Sequence, residues 1–271
     1  MLKLSVPLFV GLLCLVSLMP VAADTSRDAL LKAADTKASG EYTRQRFLAV
    51  QKTAFDPADS RKKALIVGDS HAQDFFNGVL ENGYLSKYQL RTRYIPTRCQ
   101  IVWSDKGKAF IEPKDEALCA ESDSLQQAAP QLAEADLVIL VARWKGWAAE
   151  LLPETIQTVG LRADQQLIVV GAKDFGRLSL RNYLKLSDDE LRALENKVDP
   201  VPLATNKVLE NALGAKVFVD QQRLICGEGV TCHPFNADLE LLSYDGGHLT
   251  PAGAKYVGKL LFTKSLLQGF Q

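Results

Sequence analysis

Short apolar runs bounded by glycine or charge recur along the chain: Ala64-Leu65-Ile66-Val67-Gly68, Leu137-Val138-Ile139-Leu140-Val141, Leu167-Ile168-Val169-Val170-Gly171 and Val217-Phe218-Val219. Arg91-Thr92-Arg93-Tyr94-Ile95 is a weaker run of the same kind. Runs that are apolar at every position predict strands buried on both faces, as in a parallel sheet covered by helices. Amphipathic stretches near residues 72–82, 122–133, 148–160 and 203–213 lie between them, with a last one near 251–267. Thr250 is placed to cap that last helix, with Pro251 as its first residue. Strand and helix in alternation imply right-handed crossovers and an α/β fold with a mostly parallel, doubly wound sheet. Ligands of such sheets bind beyond the carboxyl ends of the strands, so the loops that leave the strands are where chemistry is expected.

The ends divide differently. Lys3, the almost continuously apolar stretch Leu4–Met19 and the small residues of Pro20-Val21-Ala22-Ala23 form the three-part pattern of a secretory signal, so residues 1–23 are expected to be a signal peptide cleaved after Ala23. An uncleaved membrane anchor is the rival, but a spanning helix wants about 20 apolar residues. Cys14 follows Leu13, where a lipoprotein site needs a small residue, and is read as apolar filler. Residues 24–60 are polar and partly helical in pattern, an N-terminal extension; residues 61–271 form the main domain. Within it, residues 174–202 hold the helix start Ser187-Asp188-Asp189-Glu190 and a break at Asp199-Pro200-Val201-Pro202, a segment expected beside the site as a flap or as a plain connection.

Charge and cysteine content narrow the setting. Lys+Arg and Asp+Glu both total 32, and no basic run exceeds Arg61-Lys62-Lys63, which excludes a nucleic-acid or anionic-membrane footprint. Besides Cys14, the cysteines are Cys99, Cys119, Cys226 and Cys232. An even set in an exported chain favours two disulfides, and Cys99–Cys119 with Cys226–Cys232 close short local loops. A zinc site is the rival reading, but no Cys-x-x-Cys pair exists and His233 stands alone beside Cys232. The expected location is therefore periplasmic or secreted.

Two motifs carry the chemistry. Gly68-Asp69-Ser70-His71 leaves the first strand and opens a helix, which exposes the Ser70 hydroxyl on the ligand edge and turns helix N–H groups toward a developing oxyanion. Gly68 permits a tight turn and close substrate approach. An alcohol needs a base to become a nucleophile. The chain has three histidines, and Tyr244-Asp245-Gly246-Gly247-His248-Leu249-Thr250, just ahead of the final helix, offers one with a carboxylate three residues before it. Base, orienting acid and nucleophile are then His248, Asp245 and Ser70. The bland alternative makes Asp69 and Ser70 a helix cap, and Asp245 and His248 decoration on a glycine turn.

Together these residues resemble the SGNH/GDSL hydrolase superfamily. More particularly, the Gly-Asp-Ser-His-Ala opening, Arg143-Trp144 after the third strand, and Cys226 and Cys232 before the Asp-x-x-His loop resemble the SGNH domains found with membrane acyltransferases that O-acylate bacterial surface glycans. The likeness covers roughly residues 63–262. It implies a three-layer α/β/α sandwich of flavodoxin-like winding, acyl-ester chemistry without metal or cofactor, Ser70 as nucleophile, His248 as base, Asp245 as acid, and the Ser70 backbone N–H as one oxyanion donor. The oxyanion glycine and asparagine of the broader family are missing: the corresponding exits read Pro96-Thr97-Arg98-Cys99 and Ala142-Arg143-Trp144-Lys145-Gly146. Gly68, Asp69, Arg143 and Trp144 are therefore the expected oxyanion and substrate contacts, with Arg143 either a donor or paired on the surface. Trp144 and Trp147 are either a sugar-stacking platform or core.

The implied substrate is an acylated glycan or small acyl ester, with a membrane protein as acyl donor and no nucleic-acid partner. Asp69-x-His71 after a strand also opens two-metal phosphoesterases, but those need further ligands that His233 and His248 alone do not supply. A non-catalytic glycan-binding or assembly module would keep the fold and lose the triad. Hydrolase and transferase share one acyl-enzyme and differ in the acceptor, which sequence does not disclose.

Overall fold

The computed structural model describes residues 25–103 and 105–271; the expected signal segment lies outside them. Two helices open the chain, α1 (Thr25–Ala33) and α2 (Thr36–Ala49), followed by β1 (Lys62–Gly68), α3 (Ser70–Asn82) and β2 (Tyr88–Tyr94). Next come α4 (Glu116–Glu121), α5 (Leu125–Glu134), β3 (Leu137–Val141), α6 (Gly146–Val159) and β4 (Gln166–Val170). The last third holds α7 (Leu180–Tyr183), α8 (Asp188–Arg192), β5 (Asn196–Lys197), α9 (Pro200–Leu213), β6 (Phe218–Val219), α10 (Gln221–Cys226), β7 (Thr231–Cys232) and α11 (Pro251–Lys264). No helix among the described residues is long and apolar enough to cross a membrane.

Five strands form a parallel sheet in the order β2-β1-β3-β4-β6, the doubly wound arrangement the pattern predicts. The weak run before Pro96 is a genuine strand, paired Lys62↔Tyr88 through Gly68↔Tyr94 with β1. The period of two explains why every position is apolar. Ala64, Ile66, Ile139 and Ile168 face α2, α3 and α11, whereas Leu65, Val67, Val138 and Val169 face α5, α6 and α9. Three layers result, helices on either side of the sheet. Phe47 of α2 and Phe262 of α11 are fully buried in the first core; truncating such a ring to alanine costs about 3–5 kcal/mol.

The N-terminal helices are part of this packing. Thr92 Oγ1 of β2 donates to Phe47 O at 2.6 Å, which seats α2 along α3. Leu30 of α1 joins Tyr183, Phe235 and Leu241 in a smaller cluster. On the same face α3 and α11 meet backbone to backbone: a Cβ built on Gly258 would stand 2.5 Å from Gly78 O. Both are glycine because no side chain fits where the helices touch.

One expectation needs correction. Asp199-Pro200-Val201-Pro202 does not break the chain but starts α9, ahead of the residue 203 expected from the pattern. The Asp199 carboxylate accepts from Val201 N–H at 2.9 Å, and proline is harmless in a first turn, whose N–H groups have no helical partner. Ser187 forms a full capping box with Glu190, as its spacing predicts.

Candidate active site

The sheet reverses its order between β1 and β3, and Ser70 stands at that switch point, directly beyond the carboxyl end of β1. The turn is tight because Gly68 lies against β3: a Cβ on it would fall 1.7 Å from Val141 O. Asp69 then caps α3, accepting from His71 N–H at 2.9 Å. Its other oxygen accepts from the Thr97 hydroxyl at 2.7 Å and from Arg143 N–H at 2.9 Å. One buried carboxylate thus ties together the exits of β1, β2 and β3. Burial pushes the Asp69 carboxyl up from its ordinary value against these three hydrogen bonds.

The second half of the site is the loop before α11. Gly246 has φ +96° and lies so close to Gly176 that a Cβ would stand 2.4 Å from its carbonyl oxygen. The Ser243 hydroxyl accepts from Gly246 N–H at 2.9 Å and donates to His248 O at 2.6 Å. Asp245 Oδ1 accepts from the N–H groups of Gly247 and His248, at 2.9 and 2.8 Å. With the loop fixed in this way, Asp245 Oδ2 lies 2.6 Å from His248 Nδ1 and His248 Nε2 lies 2.7 Å from Ser70 Oγ. A carboxylate only accepts, so Nδ1 carries the proton and Nε2 is left to accept from the Ser70 hydroxyl.

Burial pushes the Asp245 carboxyl up, but the hydrogen bonds from the His248 ring and backbone outweigh it and hold it at about 2. For His248, burial pushes the ring down, and the Asp245 hydrogen bond with the Asp74 and Asp245 charges raises it above its ordinary value. His248 and Asp245 are displaced in opposite directions, as expected of a charged pair.

A cleft of about 390 Å³ opens over Ser70 and His248. Tyr94 and Tyr244 line it together with Thr43, Arg44 and Leu48 of α2. Another cleft, about 580 Å³, lies between α1 and the 238–241 turn and touches neither residue. Residues 174–202 do lie beside the site, where Phe175 N–H donates to Gly246 O at 2.8 Å.

The four expected oxyanion and substrate contacts fare differently. Gly68 shapes the turn. Asp69 is buried and fully engaged by protein groups, so it braces the loops and does not meet substrate. For the same reason it is not offered to a metal alongside His71, which is itself buried. The Arg143 side chain is exposed, and among the described residues it has no carboxylate partner; its backbone is what serves the site. Trp144 is core: it is 2% exposed, and its Nε1–H donates to Val170 O at 2.9 Å. The indole gains more from filling the space between the ends of β3 and β4 than from facing water. Trp147 is partly buried and stacks on Phe110 with ring centroids 5.0 Å apart. Both local disulfides, Cys99–Cys119 and Cys226–Cys232, are formed.

Three features of the site escape the sequence pattern: the α2 wall, the Tyr244 ring over His248, and a buried ion pair between Asp74 and Lys173. The signal for the last was available, since Asp74 lies one helical turn beyond Ser70 and Lys173 just beyond the carboxyl end of β4.

No curated protein matches the chain. The family model described as an SGNH domain fused to AT3 domains matches residues 36–262, a span that takes in α2 as well as the sheet. Such domains belong to esterase- and acyltransferase-type hydrolases. With most of its length matched, the chain belongs to the SGNH family of domains found fused to AT3 acyltransferase domains.

Proposed function

We propose that the chain is an exported serine esterase or O-acyltransferase that acts on acyl, preferably acetyl, esters of a cell-surface or extracellular glycan. The observation that carries this reading is the unbroken series Asp245 Oδ2–His248 Nδ1 at 2.6 Å and His248 Nε2–Ser70 Oγ at 2.7 Å, at the floor of a cleft. Export is supported by the signal-like residues 1–23 and by two disulfides, which persist in oxidising compartments.

The chemistry follows from the geometry. Nε2 takes the hydroxyl proton as Ser70 Oγ attacks the acyl carbonyl, and Asp245 stabilises the imidazolium that forms. Ser70 is the first residue of α3, so its backbone N–H belongs to the donors a helix cannot satisfy itself and is free to bond the oxyanion. The imidazolium returns its proton to the departing alkoxide, leaving an acyl group on Ser70. Water then yields an esterase cycle; a sugar hydroxyl yields transfer. Tyr94 and Tyr244 at the cleft border supply rings suited to a sugar face, and a membrane partner would supply the acyl group to a transferase.

The test is acetate release from p-nitrophenyl acetate. Ser70→Ala and His248→Ala should each lower turnover by about 10⁴-fold or more, and a fluorophosphonate probe should label the protein only when Ser70 is present. Unchanged turnover in either variant rejects the assignment; absent labelling of a folded protein favours a glycan-binding module. Mass spectrometry of an acetyl donor mixed with oligosaccharides separates transfer from hydrolysis.

A further inference from the structure

Beneath the triad lies an ion pair that the reaction scheme above does not use. Lys173 Nζ donates to Asp74 Oδ2 at 2.7 Å, and both side chains are 1% exposed. Asp74 belongs to α3, four residues beyond Ser70 and hence on the same helix face. Lys173 follows the carboxyl end of β4. The second Asp74 oxygen accepts from Leu249 N–H at 3.2 Å, the residue next to His248. One carboxylate therefore joins the nucleophile helix, the β4 exit and the loop of the base.

Such a pair is a poor device for stability alone. Removing two charges from water costs about as much as their attraction returns, and apolar residues of similar volume often serve as well. What an apolar pair does not provide is an acceptor for Leu249 N–H or a charge near the imidazole. We propose that the Asp74–Lys173 pair is a positioning element for His248, holding its loop against the nucleophile helix and balancing the electrostatic field at the ring. The proposal rests on the triad reading given above.

The groups around the ring make the balance specific. From its own loop His248 meets Asp245 and the face of the Tyr244 ring; from α3, Asp74 and His71; from the β4 exit, Lys173. The charge of Arg44 on α2 acts at Tyr244, and that of Arg143 at the β3 exit acts at His71. The His71 ring packs edge-on at 6.0 Å from His248, and burial followed by the Lys173, His248 and Arg143 charges keeps it neutral. Its Nδ1 is buried without a partner, so it adds no charge of its own. Of the groups on neighbouring elements, Asp74 favours the imidazolium and Lys173 opposes it.

The full chain with Lys173→Met, with Asp74→Asn, and with the apolar double change Asp74→Leu/Lys173→Met tests this. The first readout is NMR titration of the His248 ring, which requires no turnover. Lys173→Met should move the His248 titration to higher pH and Asp74→Asn to lower pH, each on the order of one pH unit. The acid limb of kcat/KM for p-nitrophenyl acetate should follow. The double variant buries no charge but loses the Leu249 tie, so it should fold and lose about tenfold or more in kcat with KM retained. Shifts in the same direction, or none, overturn the field half of the proposal; full kcat in the double variant overturns the positioning half. If one single variant does not fold, the shift in the other still decides the field half, and the double variant decides the positioning half. Activity that survives Ser70→Ala would instead reject the triad, while the His248 titration would still report on the pair.

Discussion

The Tyr244 ring lies nearly parallel to the His248 ring, centroids 5.7 Å apart and planes 17° from coincidence. Burial pushes the Tyr244 hydroxyl up to about 12, so it is neutral at any working pH. The stack restrains one face of the imidazole. Tyr244→Phe keeps the ring and should keep kcat within a factor of about two, whereas Tyr244→Ala frees the imidazole and should lower kcat about tenfold. Steady-state hydrolysis of p-nitrophenyl acetate distinguishes the two variants.

The pH dependence follows from the sign of two displacements. Only neutral His248 accepts the Ser70 proton, and its pKa stands above the ordinary 6.5. Activity should therefore fall as pH drops through a limb above 6.5, while Asp245 stays ionised down to about pH 2. Stability runs the other way. A histidine whose folded pKa is raised contributes stability that is complete below 6.5 and is lost as pH climbs through the folded value. On the proposed reading the chain should thus gain activity over the same interval in which this contact stops stabilising it. Rate profiles and urea melts over that interval check both halves; an acid limb at or below 6.5 would contradict the geometry.

Cys99 and Cys119 are 20 residues apart in sequence and bridged. Closing a loop of that size restricts the unfolded chain by about 3 kcal/mol. Cys99→Ser/Cys119→Ser should lower the unfolding free energy by about that amount in urea titrations. The same bridge steadies the turn in which Thr97 reaches Asp69, so a smaller loss of kcat should accompany it.

Trp144 offers a discriminating substitution. Trp144→Phe keeps most of the buried ring and gives up the hydrogen bond to Val170 O, a change of about 1–2 kcal/mol. KM for an acetylated oligosaccharide should not move, because the side chain does not reach the cleft. A several-fold rise in KM with unaltered stability would return Trp144 to the surface.

The sheet was legible because Leu137–Val141 and Ile66–Val67 are apolar on both faces, a pattern few other environments produce. Ser70 and His248 were legible because each adjoins an element start, and caps and first-turn prolines obey local rules. The α2 wall was not: Thr43, Arg44 and Leu48 reach the site through the long-range packing of Phe47, which leaves no trace in spacing. Trp144 misled because residue type sets what an aromatic ring can do and not which way it points. The pattern set Asp74 and Lys173 near the right element ends, but a charged side chain reads as solvent-facing until its partner is known, so the pair itself went unread.

The glycine contact between α3 and α11 has a consequence at a distance. Ser70 begins one of these rods and His248 stands three residues before the other, so the angle at which the rods cross governs the gap between hydroxyl and imidazole. Gly78 lies eight residues, or about 12 Å, along α3 from Ser70. A methyl group inserted at this fulcrum would pry the far ends apart, dulling reactivity from a site no substrate ever touches.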